Sequence, residues 1–209
     1  MIALEGALLM DEQPQVERGG LEPIQERLLA ALRAQGLEGR RVLDIGCGTG
    51  HLHHRLLDEG AASVVGVEFS ADYLEQAKAL AQALGHEDRV TYLTGDFTEL
   101  ASQIEPADVT ILDKVVHCYQ EPERLVRQST AHTRFLYALT FPRNRWRMRL
   151  IIGCLGPVAR LFLPYRPRFS RPEAIRAWVR EAGFVRLSHD ETEMWHTEVY
   201  VRRGEEHEL

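Results

Sequence analysis

The sequence is short of cysteine. Its 209 residues contain three cysteines, Cys47, Cys118 and Cys154, and no Cys-x-x-Cys pair. An odd number of widely separated thiols disfavours both a disulfide framework and a structural zinc site. We therefore expect a reducing, cytoplasmic environment.

Long hydrophobic runs are also missing. The longest apolar stretch, residues 150–163, is interrupted by Pro157 and Arg160, and a bilayer-spanning helix needs about 20 apolar residues. No basic segment opens the chain, which disfavours a signal peptide. We expect no transmembrane segment, although basic and apolar residues together leave peripheral membrane contact open.

Positive charge is scarce overall but unevenly placed. The formal net charge of −6 argues against a nucleic-acid partner. Residues 143–171, however, hold eight arginines and no acidic residue. This segment is expected to differ from the rest of the chain.

Strand-like and helical patterns alternate along the chain. Strands are predicted at 41–45, 63–68, 89–93, 108–112 and 135–141, and helices at 21–35, 72–84, 122–130 and 171–182, with a further helix from the end of a glycine loop through Leu57. Such alternation implies right-handed crossovers and a doubly wound parallel sheet. Segments 185–195 and 197–203 predict an antiparallel hairpin at its edge.

These elements predict an α/β fold with a mostly parallel seven-stranded sheet in a single domain, 1–209. Residues 1–20 are interpreted as a flexible tail or lid, and 21–141 as a cofactor-binding core. Residues 142–184 would form a basic and apolar cap insert with a helix, and 185–203 the closing strands.

The loop after the first strand carries three glycines, Gly46, Gly48 and Gly50. Glycines at this point let a ligand approach the amides of a helix start. The dinucleotide pattern Gly-x-Gly-x-x-Gly would need glycine at position 51, which is His51. The spacing instead suits a ligand whose amino-acid end lies across the loop.

Two further markers follow the next strands. Glu68 ends the second strand, where an acid can accept from ribose hydroxyls. Asp96, in Gly95-Asp96-Phe97 after the third strand, can accept from an adenine amine, and Phe97 offers a ring face or an amide. The alternative is that both acids are ordinary solvated loop residues.

At these residues the chain resembles the class I S-adenosylmethionine (SAM)-dependent methyltransferases, whose first motif matches 42–50. The resemblance implies a Rossmann-like methyltransferase fold and SAM as cofactor. It implies that Asp44 and the loop hold the methionine end, that Glu68 holds ribose and that Asp96 and Phe97 hold adenine. The predicted cofactor-binding residues are Asp44, Gly46, Cys47, Gly48, Gly50, Glu68, Phe69, Gly95, Asp96, Phe97, Asp113, Lys114 and Val115.

A narrower likeness covers residues 112–121 and 136–146. These segments are similar to an Asp-x-Val-Val segment and an aromatic-basic Tyr-Pro-Arg-x-Arg-Trp segment of the magnesium-protoporphyrin O-methyltransferases. This likeness implies an oxygen acceptor, tetrapyrrole-like or otherwise.

Two side chains near the end of the fourth strand are candidate catalytic residues. His117 can take a hydroxyl proton, or hold an acceptor carboxylate as the imidazolium. Tyr119 is a second candidate, and both can equally be packed residues without a role. No metal site is predicted, because His51, His53 and His54 lack partners at ligand spacing.

The arginine-rich segment has several interpretations. As an acceptor cap it would use Arg143 and Arg145 to fork a carboxylate and Trp146 to cover a flat ring. It can instead be a surface helix with solvated arginines, or a membrane contact.

The function predicted is SAM-dependent methyl transfer to a small-molecule acceptor, at oxygen. The alternatives are a C- or N-methyltransferase, or a SAM-binding protein without turnover. The oligomeric state is left open.

The glycine spacing generates a first prediction: the chain binds SAM and not NAD. Calorimetric titration with each ligand should give a saturable signal for SAM alone. Tight NAD binding without a SAM signal would contradict it.

Overall fold

The computed structural model describes residues 20–143 and 170–205. In these ranges seven strands form one sheet in the order β3-β2-β1-β4-β5-β7-β6. The strands are β1 (Arg41–Ile45), β2 (Ser63–Glu68), β3 (Val90–Thr94), β4 (Ala107–Leu112), β5 (Thr133–Pro142), β6 (Phe184–Glu191) and β7 (Trp195–Arg202). Neighbouring strands from β3 to β5 pair in parallel, and β7 runs antiparallel to both β5 and β6. The predicted fold class, including the antiparallel hairpin, is confirmed.

Helices cover the sheet on both faces. They are α1 (Pro23–Arg33), α2 (His51–Asp58), α3 (Ala71–Leu84), α4 (Phe97–Leu100), α5 (Pro122–Ala131) and α6 (Pro172–Glu181). Leucines of α1 and α2 pack with Val42, Val109 and Leu136 on one face. Phe97 of α4, Leu125 of α5 and Ile175 of α6 join the cluster on the other. Each face thus has its own apolar core, as a doubly wound sheet requires.

Helix ends follow from local residues. Pro23 opens α1, where its missing N–H costs nothing. The Gln25 side chain accepts a hydrogen bond from the Glu22 amide at 3.0 Å. Gly85, with φ of 68°, ends α3 in the left-handed conformation that glycine adopts without strain. These ends agree with the predicted ones to within a few residues.

The boundary between the last two strands differs from the prediction. The predicted strand ran to Trp195, but β6 ends at Glu191 and Trp195 begins β7. Thr192 closes the turn, because its amide donates to the Trp195 carbonyl at 2.9 Å and its hydroxyl accepts from the Trp195 amide at 3.1 Å. Turn chemistry at a threonine therefore overrode the apolar pattern.

A chain of polar side chains runs through the interior between α2, α3 and β3. His53, fully buried, lies 2.9 Å from Asp44 through Nδ1 and 3.0 Å from the Tyr92 hydroxyl through Nε2. The Tyr92 hydroxyl lies 3.4 Å from His54 Nε2, and His54 Nδ1 lies 3.1 Å from His86 Nδ1. These contacts satisfy imidazoles that would otherwise be costly to bury.

The burial of His54 generates a stability prediction. Burial, with neighbouring His53 and His86, lowers the pKa of His54 to about 3. In the unfolded chain His54 takes up a proton near pH 6.5, whereas in the folded chain it stays neutral at that pH. The free energy of unfolding therefore falls as the pH drops below about 6.5. This one group should remove about 2 kcal/mol of unfolding free energy between pH 7 and pH 5.

Urea unfolding at several pH values between 7 and 5 measures the effect. His54→Gln keeps a hydrogen-bonding side chain without the titration, so its stability should depend less on pH. Equal slopes for the variant and the natural chain would contradict the prediction.

Candidate functional site

The candidate site lies at the carboxyl ends of the strands, where the strand order reverses between β1 and β4. Parallel α/β sheets bind ligands in the crevice at this point. A cavity of about 220 Å³ opens there. Its lining residues are Gly20, Glu22, Gln25, Asp44, Gly46, Cys47, Gly48, Thr49, Gly50, His51, Leu52, Asp113 and Lys114.

The glycine loop is held tightly under this cavity. The Gly46 amide donates to the Val67 carbonyl at 2.7 Å, which ties the loop to the neighbouring strand. Gly46 has φ of 71°, and a Cβ there would lie 2.4 Å from Val115 Cγ2. Gly50 has φ of 86°, and a Cβ there would lie 2.7 Å from His53 Nε2. Both positions exclude side chains for packing as well as for ligand approach.

Asp44 is buried beneath the loop, yet it lines the cavity. One carboxylate oxygen contacts His53, which Tyr92 holds from its other side. Burial, together with the carboxylates of Asp44 and Glu68, raises the pKa of the neighbouring Cys47 thiol. Cys47 therefore stays a thiol.

Glu68 joins the first two loops of the site. One of its oxygens accepts from the Gly48 amide and the other from the Ser70 amide, each at 3.0 Å. Both oxygens retain lone pairs for a further donor. The next residue, Phe69, is 79% exposed, so its ring is available to a ligand.

Asp96 caps the short helix α4. Its Oδ1 accepts from the Thr98 amide at 2.7 Å and from the Thr98 hydroxyl at 2.8 Å, and the Tyr119 hydroxyl donates to the same oxygen. Partial burial opposes ionisation of Asp96, but these hydrogen bonds outweigh it and lower the pKa of the carboxyl. The Phe97 ring is buried in the core, which leaves its amide, and not its ring face, for a ligand. Gly95, with φ of 140°, turns the chain between β3 and this cap.

The segment after β4 forms the cavity wall opposite the glycine loop. Burial raises the pKa of Asp113, although hydrogen bonds from Thr140 (2.5 Å) and Gln25 (2.8 Å) partly oppose the rise. Lys114 follows with φ of 58°, the one non-glycine residue with positive φ in ranges 20–143 and 170–205. Its amide donates to Thr140 Oγ1 at 2.7 Å, and its ammonium pairs with Glu22.

The two contacts from α1 were not predicted from the sequence. Gln25 and Glu22 lie 88 and 92 positions from their partners Asp113 and Lys114. Both belong to the first turn of α1 or its cap, and both line the cavity. No local pattern in the sequence marks such a pairing.

His117 lies beside the cavity wall, in a short 3₁₀ turn at Val116–Cys118. Its ring packs edge-on against Trp195, with ring centroids 5.2 Å apart. Burial and the Lys114 charge lower the pKa of His117 to about 4, so it is neutral at pH 7. Its Nδ1 is buried and has no hydrogen-bond partner among residues 20–143 and 170–205.

Tyr119 and Trp195 complete this region. Burial and the hydrogen bond to Asp96 raise the pKa of Tyr119 to about 12. Trp195 was not predicted as a site residue, because β7 brings it here from far along the chain. The Lys114 ammonium lies 5.5 Å from the centre of its ring.

The structure does not bring Arg143 to the cavity. Its guanidinium donates to the Thr192 carbonyl at 3.0 Å and pairs with Glu191 at 3.2 Å. The turn between β6 and β7 thus uses the charge that was predicted to bind an acceptor. Arg145 and Trp146 lie outside the described residues.

Comparison with known families identifies the class. Residues 37–140 match a family model described as a methyltransferase domain. With the sheet order and the glycine loop, this match shows that the chain belongs to the class I SAM-dependent methyltransferases. The matched segment is thus a methyltransferase domain, the kind of domain that takes its methyl group from SAM.

Several named proteins are similar to it. A ubiquinone biosynthesis O-methyltransferase from Alkalilimnicola ehrlichii is 32% identical over 160 residues, covering 72% of this chain and 62% of that protein. A tRNA U34 carboxymethyltransferase from Photobacterium profundum is 26% identical over 154 residues, covering 71% of this chain and 46% of that protein. The chain therefore spans about half the length of the curated relatives it matches.

A solved structure shows the same fold. The magnesium protoporphyrin IX methyltransferase of Synechocystis PCC 6803 with bound SAH has a TM-score of 0.68 and 24% identity, covering 85% of this chain and 83% of that one. Within the part of this chain that the structure describes, no helix has the length and apolarity to cross a bilayer.

The position of Glu68 generates the next prediction. Glu68→Ala should weaken SAM binding at least tenfold, because hydrogen bonds to a charged acceptor contribute roughly 1.5–3 kcal/mol. The substitution also frees the Gly48 amide from its anchor. Isothermal titration with SAM measures the dissociation constant. Glu75→Ala, on the exposed face of α3, is the matched control and should leave the dissociation constant unchanged. Equal SAM affinities for the two variants would show that Glu68 does not contact the cofactor.

Proposed function

We propose that the chain transfers the methyl group of SAM to an oxygen of a small, flat, anionic acceptor. The observation that carries the proposal is the cluster of Trp195, Lys114 and His117 beside the cavity wall formed by Asp113 and Lys114. It combines a flat ring face, a cation and a neutral imidazole at one edge of the cofactor crevice.

The cavity fits the methionine end of the cofactor. Asp44 lines it and supplies a carboxylate for the cofactor ammonium. The amides of the glycine loop and of the start of α2 favour the cofactor carboxylate, because a helix amino terminus carries partial positive charge. In this placement Asp113 and Val115 border the sulfonium.

In this proposal ribose and adenine lie over the next two loops, and Glu68 accepts from the ribose hydroxyls. Asp96 has one oxygen occupied by Thr98 and Tyr119, so an adenine amine would use its other oxygen. The Phe97 amide and the exposed ring of Phe69 border the base.

Methyl transfer from a sulfonium is an in-line displacement, so the protein contributes mainly orientation and exclusion of water. Such positioning is worth roughly 7–11 kcal/mol. The α1 contacts of Gln25 and Glu22 close one side of the cavity. They favour a site from which water is excluded during transfer.

His117 is proposed to orient the acceptor oxygen as a neutral imidazole. With a pKa lowered to about 4, it cannot hold a carboxylate as the imidazolium at pH 7. Its buried Nδ1 would take an acceptor group as its hydrogen-bond partner once the acceptor enters this region. Tyr119 has a phenol that donates to Asp96 and a raised pKa, so we assign it a positioning role toward the adenine side.

An oxygen acceptor is favoured by the name of one similar protein, and a flat acceptor by the name of another. One is named for O-methylation in ubiquinone biosynthesis and the other for methylation of magnesium protoporphyrin IX. Magnesium protoporphyrin IX is a flat macrocycle, which agrees with the Trp195 face. Transfer to carbon or nitrogen, and SAM binding without turnover, are the alternatives.

An RNA acceptor is the second candidate, because other relatives are tRNA carboxymethyltransferases. The net charge of −6 weighs against it. Membrane contact through residues 150–163 concerns residues outside the described ranges.

The acceptor cluster generates a prediction about kinetics. Trp195→Ala and Lys114→Asn should each lower kcat/KM for a carboxylated aromatic acceptor at least tenfold. The SAM dissociation constant of Trp195→Ala should stay within twofold of the natural chain, because Trp195 does not line the cofactor cavity. Asparagine is chosen at position 114 because it tolerates positive φ. The losses follow from a missing ring face and from an unpaired acceptor carboxylate.

A panel of hydroxylated and carboxylated aromatic compounds, a porphyrin diacid and unmodified tRNA, each with radiolabelled SAM, measures the acceptor preference. Trp195→Phe should recover most of the activity. Transfer to tRNA alone, or a loss of SAM affinity equal to the loss of kcat/KM, would overturn the proposal.

A further inference from the structure

The hairpin of β6 and β7 carries two imidazoles and two carboxylates on one face. His189 lies opposite Glu198, and Glu191 lies opposite His196. Because side chains alternate between the two faces of a strand, residues 189 and 191 share a face, and so do residues 196 and 198. The cluster faces α6, since Arg176 of that helix pairs with Glu198 at 2.7 Å.

Three of these side chains converge on one point. His189 Nε2 lies 3.1 Å from His196 Nδ1, and Glu191 Oε2 lies 3.6 Å from the same nitrogen. All three ligand atoms lie within 4.8 Å of one another, and theirs is the one such group of His, Cys, Asp and Glu across ranges 20–143 and 170–205. Ligands about 2.0–2.2 Å from a tetrahedral zinc ion stand roughly 3.3–3.5 Å apart. The observed separations are close to that spacing.

The charges around the cluster determine which side chains can act as ligands. Glu198 is fully buried, and its Oε1 pairs with Arg176 and with Arg186 at 3.2 Å. It serves as their counter-ion and lies 3.8 Å from His189. Arg143 contacts Oε1 of Glu191 and leaves Oε2 directed at His196. The ligand set is therefore two imidazoles and one carboxylate oxygen.

The nearby guanidinium groups limit how strongly a cation can bind. Arg143, Arg176 and Arg186 all repel a dication, and Glu191 and Glu198 offset only part of their charge. The two imidazoles contribute no charge of their own when neutral, which is the form that binds a metal. The affinity is therefore expected to be weaker than that of a closed structural zinc site.

We propose that His189, Glu191 and His196 form a binding site for a divalent transition metal of the zinc class, with its remaining positions open to water. Imidazole and carboxylate ligands in this number suit such ions. The bound ion would tie β6 to β7 beside Trp195, the residue that precedes His196. The sequence analysis predicted no metal site. The three proposed ligands come together only because the turn pairs β6 with β7, and no local spacing in the sequence marks that pairing. The proposal does not depend on which acceptor is methylated.

Metal titration of the full chain tests the site. After treatment with a chelator, Co²⁺ is added and the visible absorption of the protein-bound ion is followed, and then Zn²⁺ is added to displace it. One Co²⁺ per chain should bind saturably and be displaced. His189→Asn and His196→Asn should each weaken binding at least tenfold, and Glu191→Gln by a smaller factor.

Asp190→Asn is the matched control. Asp190 is on the opposite face of the same strand, where it pairs with Arg27 at 2.7 Å, so its removal should leave metal affinity unchanged. Zn²⁺ in excess should raise the melting temperature of the natural chain and of the control, but not that of the double variant His189→Asn/His196→Asn, whose fold is checked by circular dichroism. Metal affinity unchanged in the double variant, or no saturable binding by about 1 mM, would overturn the proposal.

Discussion

The buried contact between Asp44 and His53 constrains the whole cofactor side of this protein. A carboxylate that borders the ligand cavity from inside the core needs a polar partner there, and the partner comes from the first turns of α2. His53 in turn needs Tyr92, which reaches it from β3. His53 fills the space next to Gly50, and Tyr92 fills the space next to Gly66, where a Cβ would lie 3.0 Å from the Tyr92 ring. The glycine loop is thus shaped by the packing beneath it as much as by the ligand above it.

Acidic side chains lie around the crevice, and the ammonium group of Lys114 lies at its rim. Asp44, Glu68 and Asp113 border the region where a sulfonium donor would lie, and each is fixed by hydrogen bonds to neighbouring elements. Lys114 stands at the boundary toward Trp195 and holds a strained backbone conformation. Strain of this kind persists where the surroundings fix the residue from several sides. Here the amide of Lys114 binds Thr140 and its ammonium pairs with Glu22.

Local patterns predicted what depends on neighbours in the sequence. The strands, the glycine loop and the acid at Glu68 follow from apolar periodicity and from spacing within one βα unit. Contacts between distant segments were out of reach: Gln25 with Asp113, Trp195 with His117, and the capture of Arg143 by Glu191. The excess of arginines in residues 143–171 led to the prediction that Arg143 binds an acceptor. Such a count carries no information about Glu191, an acid 48 positions further along the chain that pairs with Arg143. The buried ring of Phe97 was missed for a similar reason, since its partners belong to the core formed with α5.

The insertion of β7 between β5 and β6 has a consequence for biosynthesis. The ribosome synthesises β5 and β6 before β7, but in the sheet β7 lies between them. Neither β5 nor β6 can therefore form its hydrogen bonds to β7 until β7 has emerged. Until residues 195–202 emerge, the edge of β5 from Leu136 to Pro142 exposes unpaired backbone groups and apolar side chains. Nascent chains that stall in this interval present an edge to which another chain can add. Truncation upstream of β7 should accordingly yield aggregation rather than a smaller folded domain.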